Sequence, residues 1–134
     1  MIMNWRLSVA AVAVLIALGG TAEADVLTAG PVYAGPGQLN GRVFCWLFNT
    51  GTTNATISSR EIWSSIKVPA SVALTGDSCN TVLLPGKSCQ FFAGTGTGTY
   101  TCRANTNGID NHISGTMQLY NSADALLVTI PMAK

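Results

Sequence analysis

Four cysteines constrain this chain more than any other feature. Cys45, Cys79, Cys89 and Cys102 all lie on the C-terminal side of a segment that reads as an export signal. Met1 to Arg6 carries one positive charge, and Leu7 to Leu18 is apolar except for Ser8. Gly19, Gly20 and Thr21 break that run, and Ala22-Glu23-Ala24 offers a small-x-small cleavage site. This is the order of regions in a secretory signal peptide. The apolar run is too short to cross a bilayer, which takes about 20 residues. Residues 1–24 are therefore expected to be a helical signal peptide and residues 25–134 a single mature domain. No cysteine lies at the cleavage site to carry a lipid anchor, and Leu126 to Met132 is only strand-length, so no stable membrane span is expected after cleavage. The expected location is the periplasm or the extracellular space.

An even number of cysteines in an exported chain reads as disulfides. Three pairings are possible. The favoured one joins Cys79 to Cys89 and Cys45 to Cys102. The first pair flanks Leu83-Leu84-Pro85-Gly86-Lys87, a strand–turn–strand signal that would bring the two cysteines together. In the chain-entropy model the long loop is worth about 4 kcal/mol and the short one about 3. Spacing argues against metal and redox chemistry: there is no C-x-x-C, and His112 is the only histidine. No metal and no cofactor are expected.

The mature segment lacks any sustained 3.6-residue apolar period. Short β-branched and aromatic runs alternate instead with clusters of Gly, Asn, Ser and Thr, the all-β pattern. Candidate strands are Val26 to Ala34, Gly41 to Phe48, Ala55 to Trp63, Val68 to Leu74, Val82 to Leu84, Ser88 to Ala93, Thr99 to Ala104, Ile113 to Tyr120 and Leu126 to Met132. Pro69 suggests an edge position for the fourth. The last two should form a hairpin around Asn121-Ser122-Ala123-Asp124. Ile113, Met117 and Leu119 share one face of that hairpin's first strand, and Leu126, Val128, Ile130 and Met132 one face of its second. Both faces are expected to point to the core. Gly94 to Thr99 reads as a flexible connection. About seven to nine strands at this spacing suggest a two-sheet sandwich.

Three motifs carry a resemblance. Cys45-Trp-Leu-Phe-Asn49-Thr-Gly51 ends a strand in an Asn-x-Gly turn. Cys79-x5-Pro85-Gly86-x2-Cys89 resembles the C-x-L-x-P-G-x-x-C segment of Hydin-type immunoglobulin-like domains in exported bacterial proteins. Tyr100-Thr101-Cys102 resembles the Y-x-C of immunoglobulin strand F. From about Gly35 to Ala133 the chain resembles small four-cysteine exported bacterial proteins of unassigned function. It departs from the Hydin-type pattern after Cys89, where Phe91-Phe92-Ala93 runs into the Gly-Thr stretch, and Trp63 is a poor match in spacing to an immunoglobulin core Trp. The resemblance implies an immunoglobulin-like sandwich in which Cys45–Cys102 would link the sheets and Tyr100 could form a tyrosine corner. It implies no catalytic residue.

The charges point the same way. Charged residues make up 10% of the chain and the net charge is +1, with no Lys/Arg run, so nucleic acid is not an expected partner. The mature carboxylates Asp25, Glu61, Asp77, Asp110 and Asp124 are scattered singly, and His112, the only histidine, is the only imidazole available as a general base. The most informative constellation is Phe44, Trp46 and Phe48. If Cys45 points inward, these three aromatics point outward and form a possible interaction surface. The expected function is a non-enzymatic exported binding module with an unknown protein or surface glycan partner. Two alternatives are a subunit of a fimbria- or coat-like assembly, and a small secreted inhibitor or hydrolase using the Cys79–Cys89 loop or His112.

Overall fold

Buried and more exposed side chains alternate strictly over Arg42–Asn49, Ser88–Gly94 and Gly98–Asn107, so each segment has one face for a core and one turned outward. The computed structural model, which describes residues 24–66, 71–107 and 112–134, builds ten strands from such segments. They are β1 (Ala24–Ala34), β2 (Arg42–Asn49), β3 (Ala55–Ser64), β4 (Ser71–Val72), β5 (Gly76–Asp77), β6 (Val82–Leu83), β7 (Ser88–Gly94), β8 (Gly98–Asn107), β9 (Ile113–Tyr120) and β10 (Leu126–Pro131). One sheet runs β1-β8-β3-β4, with β6 also paired to β3; the other runs β10-β9-β2-β7-β5. All the pairings are antiparallel. The chain is an all-β sandwich with two disulfides. The signal-peptide segment lies outside the described residues, apart from Ala24.

The inner faces supply the core. Leu27, Ile57, Ile62 and Tyr100 from the first sheet meet Val43, Leu47, Phe91, Met117 and Leu119 from the second, all buried. Each large apolar side chain buried here contributes about 1.5–3 kcal/mol. Cys45 on β2 is bonded to Cys102 on β8, so this disulfide crosses from one sheet to the other. Within its own sheet Cys45 sits opposite Phe91 on one side and Met117 on the other. No polar contact with solvent is left at either sulfur, since both residues are 0% exposed.

Main-chain bonds close the corners of the sandwich. Thr28 and Ala133 exchange two bonds of 2.8 Å, tying β1 to the segment after β10. Beside them β1 bulges at Gly30-Pro31, where the peptide is cis and Gly30 has φ +112°. A Cβ on Gly30 would stand 2.7 Å from the Tyr100 carbonyl oxygen, so this close crossing requires glycine. The Gly94 to Thr99 stretch is tied down, in contrast to the flexible connection expected. Thr95 is buried and bonds Gly41 and Asn40 through its main chain. The Tyr100 hydroxyl accepts from Gly96 N (2.7 Å) and donates to Gly96 O (3.2 Å), four residues upstream and two before Cys102.

Several local expectations need correction. Val82 to Leu84 and Ser88 to Ala93 do not pair with each other across Pro85-Gly86. β6 joins β3 in one sheet, and β7 lies between β2 and β5 in the other. Cys79 and Cys89 are bonded because β5, a strand not anticipated, pairs with β7 and sets Ser78 beside Gln90. β10 does not turn Leu126 and Val128 inward. The register with β9 slips between those residues, and Leu126, Leu127 and Val128 are all exposed; only Ile130 and Met132 reach the core. Of the fourth expected strand, Val68 to Leu74, the described part contains only the short β4; Pro69 lies outside the described residues.

Candidate functional site

Because Val43, Cys45 and Leu47 face inward, the alternation of β2 turns Phe44, Trp46 and Phe48 outward. Phe48 is exposed, while Phe44 and Trp46 are half-buried by neighbours on the same outer face. Phe44 stacks on Phe92 of β7 with ring centroids 4.7 Å apart at 27°, and meets Tyr120 of β9 edge-on at 5.3 Å and 77°. Phe92 in turn lies over the edge residue Gly76. A Cβ there would be 2.2 Å from the Phe92 ring, so the aromatic takes the space a side chain would occupy.

The rest of the face is polar and mostly neutral. Trp46 lies opposite Gln90 on β7 and Thr116 on β9, and Phe48 opposite Ser88 and Ser114. Trp46 stands between two concavities. One, of about 590 Å³, is lined by Trp46, Phe48, Ser88, Ser114, Thr116, Gln118 and Pro131, among others. The other, of about 270 Å³, lies on the Phe44 side and includes Gln90 and Tyr120. Arg42 and Asp124 close that end as an exposed ion pair at 3.6 Å, an arrangement worth at most about 1 kcal/mol. The Trp46 Nε1–H is shielded from solvent and has no acceptor among the described residues.

The other outer face, across β3 and β8, is built differently. Trp63 is exposed, its indole donates to Glu61 at 2.8 Å, and the Arg103 guanidinium lies over the ring at 5.4 Å. Sequence reasoning passed over this cluster. Its legible part was Glu61 and Trp63 two apart on one strand; the Arg103 contact depends on the cross-strand register.

The candidates for acid–base chemistry are placed apart. His112 is exposed, its carbonyl accepts from both the amide and the hydroxyl of Thr50 at 2.8 Å, and its side chain lies against Gly51. Asp110 lies outside the described residues. Asp25 pairs with Lys134 and Asp77 with Arg60, each at 2.6 Å, while Glu61 holds the Trp63 indole. Among the described residues, no group of three or more His, Cys, Asp or Glu is placed to hold a metal ion. The loop between Cys79 and Cys89 is pinned at several points: Thr81 O accepts from Ile57 N, and Gly86 and Lys87 bond the main chain of Asn49.

No protein-family model, curated protein or solved structure matches the chain.

Proposed function

We propose that the chain is a non-enzymatic, exported binding module of immunoglobulin-like build, which recognises a partner through the outer face of β7, β2 and β9. The observation that carries this reading is the aromatic row. The strand that buries Cys45 against the opposite sheet presents Phe44, Trp46 and Phe48 outward, between two open concavities. Aromatic side chains of this kind give large contact area at low entropic cost and dominate binding surfaces. Export is supported by both disulfides, which persist in oxidising compartments. The immunoglobulin-like resemblance is supported by the inter-sheet disulfide and by the Tyr100 hydroxyl bonded back to Gly96. The partner is a protein or a surface glycan.

The test is retention of envelope material on the immobilised chain. The wild type and a Tyr33→Ala/Trp63→Ala control, altered on the other sheet, should retain the same material, and Trp46→Ala/Phe48→Ala should lose it. Equal retention by all three forms, or by none, contradicts the reading.

An assembly subunit is the second reading, favoured by β10. This edge strand exposes Leu126, Leu127 and Val128 consecutively, with no charged residue between Leu126 and Pro131. Exposed apolar edges invite pairing with another chain. A strictly monomeric chain in size-exclusion chromatography counts against it.

A further inference from the structure

We propose that the groove around Trp46 takes an uncharged oligosaccharide, its ring C–H faces stacked on Trp46 and Phe48 and its hydroxyls held by Gln90, Gln118 and the neighbouring Ser and Thr hydroxyls. This rests on the outer face of β2 being the binding surface, and it names the ligand class of that surface.

The first argument is main-chain availability. β2 is paired along Arg42 to Phe48 with β7 on one side and with β9 on the other. Its amides and carbonyls are therefore committed to the sheet. An extended peptide that binds by strand addition needs a free edge, and this face offers side chains only. The second argument is the chemistry of those side chains. Gln90, Ser88, Ser114 and Thr116 border the two concavities, and their side chains make no hydrogen bond within the described residues. Gln118 only accepts from the Tyr120 hydroxyl at 3.2 Å, which leaves its amide N–H groups uncommitted. Amides and hydroxyls both donate and accept, as sugar hydroxyls do, and the electron-rich faces of aromatic rings attract polarised C–H groups.

Charge selects within the carbohydrates. Among the described residues no charged one lines the larger concavity, and in the smaller one Arg42 and Asp124 neutralise each other. A uronic acid or sulfated chain finds no free counter-charge there. The concavities lie on either side of Trp46 along β2, so the site suits a chain of several sugar rings rather than one. The larger has the volume of an ordinary ligand pocket.

The experiment is a ¹H–¹⁵N NMR titration of the disulfide-bonded chain with cellotetraose, tetra-N-acetylchitotetraose and maltotetraose, and with a heparin tetrasaccharide for comparison. At least one neutral tetrasaccharide should shift the Trp46 indole N–H and the Gln90 and Gln118 side-chain amides saturably, and leave the Trp63 indole in place. Gln118→Ala, whose fold is checked from its own spectrum, should weaken that binding at least about tenfold, and Trp46→Ala should abolish it. The proposal is overturned if no neutral tetrasaccharide moves these signals, or if the heparin fragment alone does. Should Trp46→Ala/Phe48→Ala still lose envelope material in that case, the face remains a binding surface and only the ligand class falls. Should retention also be indifferent to those substitutions, both fall.

Discussion

Asn49 shows how much one side chain organises here. It is 1% exposed, and every polar group it carries is used. Its amide nitrogen donates to Thr53 O (2.8 Å) and Leu83 O (2.9 Å), and its side-chain oxygen accepts from Gly51 N (2.9 Å). Its main chain bonds Lys87 and Gly86. The end of β2, the turn after it and the β6–β7 connection thus meet on one residue. Asn49→Asp keeps the shape but sets a carboxylate oxygen against two carbonyls. It should cost about 3 kcal/mol, the scale of a buried charged group left unsatisfied, read from a lower urea midpoint at unchanged m. The sequence showed Asn49-Thr50-Gly51 as a turn. It could not show the bonds to Leu83 and Lys87, which join segments more than thirty residues apart. Gly76 is a second such residue. Gly76→Ala should cost about 1 kcal/mol, at the low end for overpacking because the displaced Phe92 ring is movable. The accompanying loss of the Phe44–Phe92 contact is observable as a missing ring–ring nuclear Overhauser effect.

Among the elements, alternation within a strand was the most legible property. The inward set of β9 follows directly from side chains that change face at every residue, and that of β2 follows once Cys45 is placed inward, since both of its faces are apolar. Which strand pairs with which was not legible for the short ones. β5 and β6 are two residues long and carry no periodic signal of their own, so in sequence the Pro85-Gly86 turn has the look of a hairpin, whereas it joins two different sheets. β10 failed for another reason. The slip in its register against β9 breaks the two-residue repeat that placed Leu126 and Val128 inward. Because Leu126 is exposed, Leu126→Lys should change stability by less than about 0.5 kcal/mol. An inward Leu126 would require a loss of about 2 kcal/mol or more. The disulfides separate in the same way. Their sequence separations are 57 and 10, so replacing the Cys45–Cys102 pair by alanines should cost about 4 kcal/mol in chain entropy, against about 3 for Cys79–Cys89. The core pair also leaves a void between Phe91 and Met117, which widens the gap. Thermal melts of the two double variants should rank them in that order.

At the scale of the whole molecule, the two outer faces differ although the sheets are alike in size. One gathers Phe44, Phe92 and Tyr120 beside Trp46 and Phe48, with amide and hydroxyl neighbours. The other carries a single exposed tryptophan held by Glu61 and Arg103. The outward row on β2 was readable once Cys45 was assigned to the core. The aromatics from β7 and β9 that complete the face were not, because their position depends on cross-strand register. This asymmetry permits a controlled test. Phe48 is 42% exposed and Trp63 40% exposed, on opposite faces, so accessibility alone gives them equal chances of touching a partner. A photo-crosslinking benzoylphenylalanine placed at either position in cells that produce the chain compares the two faces directly. Discrete adducts are expected from position 48 and none from position 63. Adducts of equal yield from both, or from position 63 alone, would contradict it.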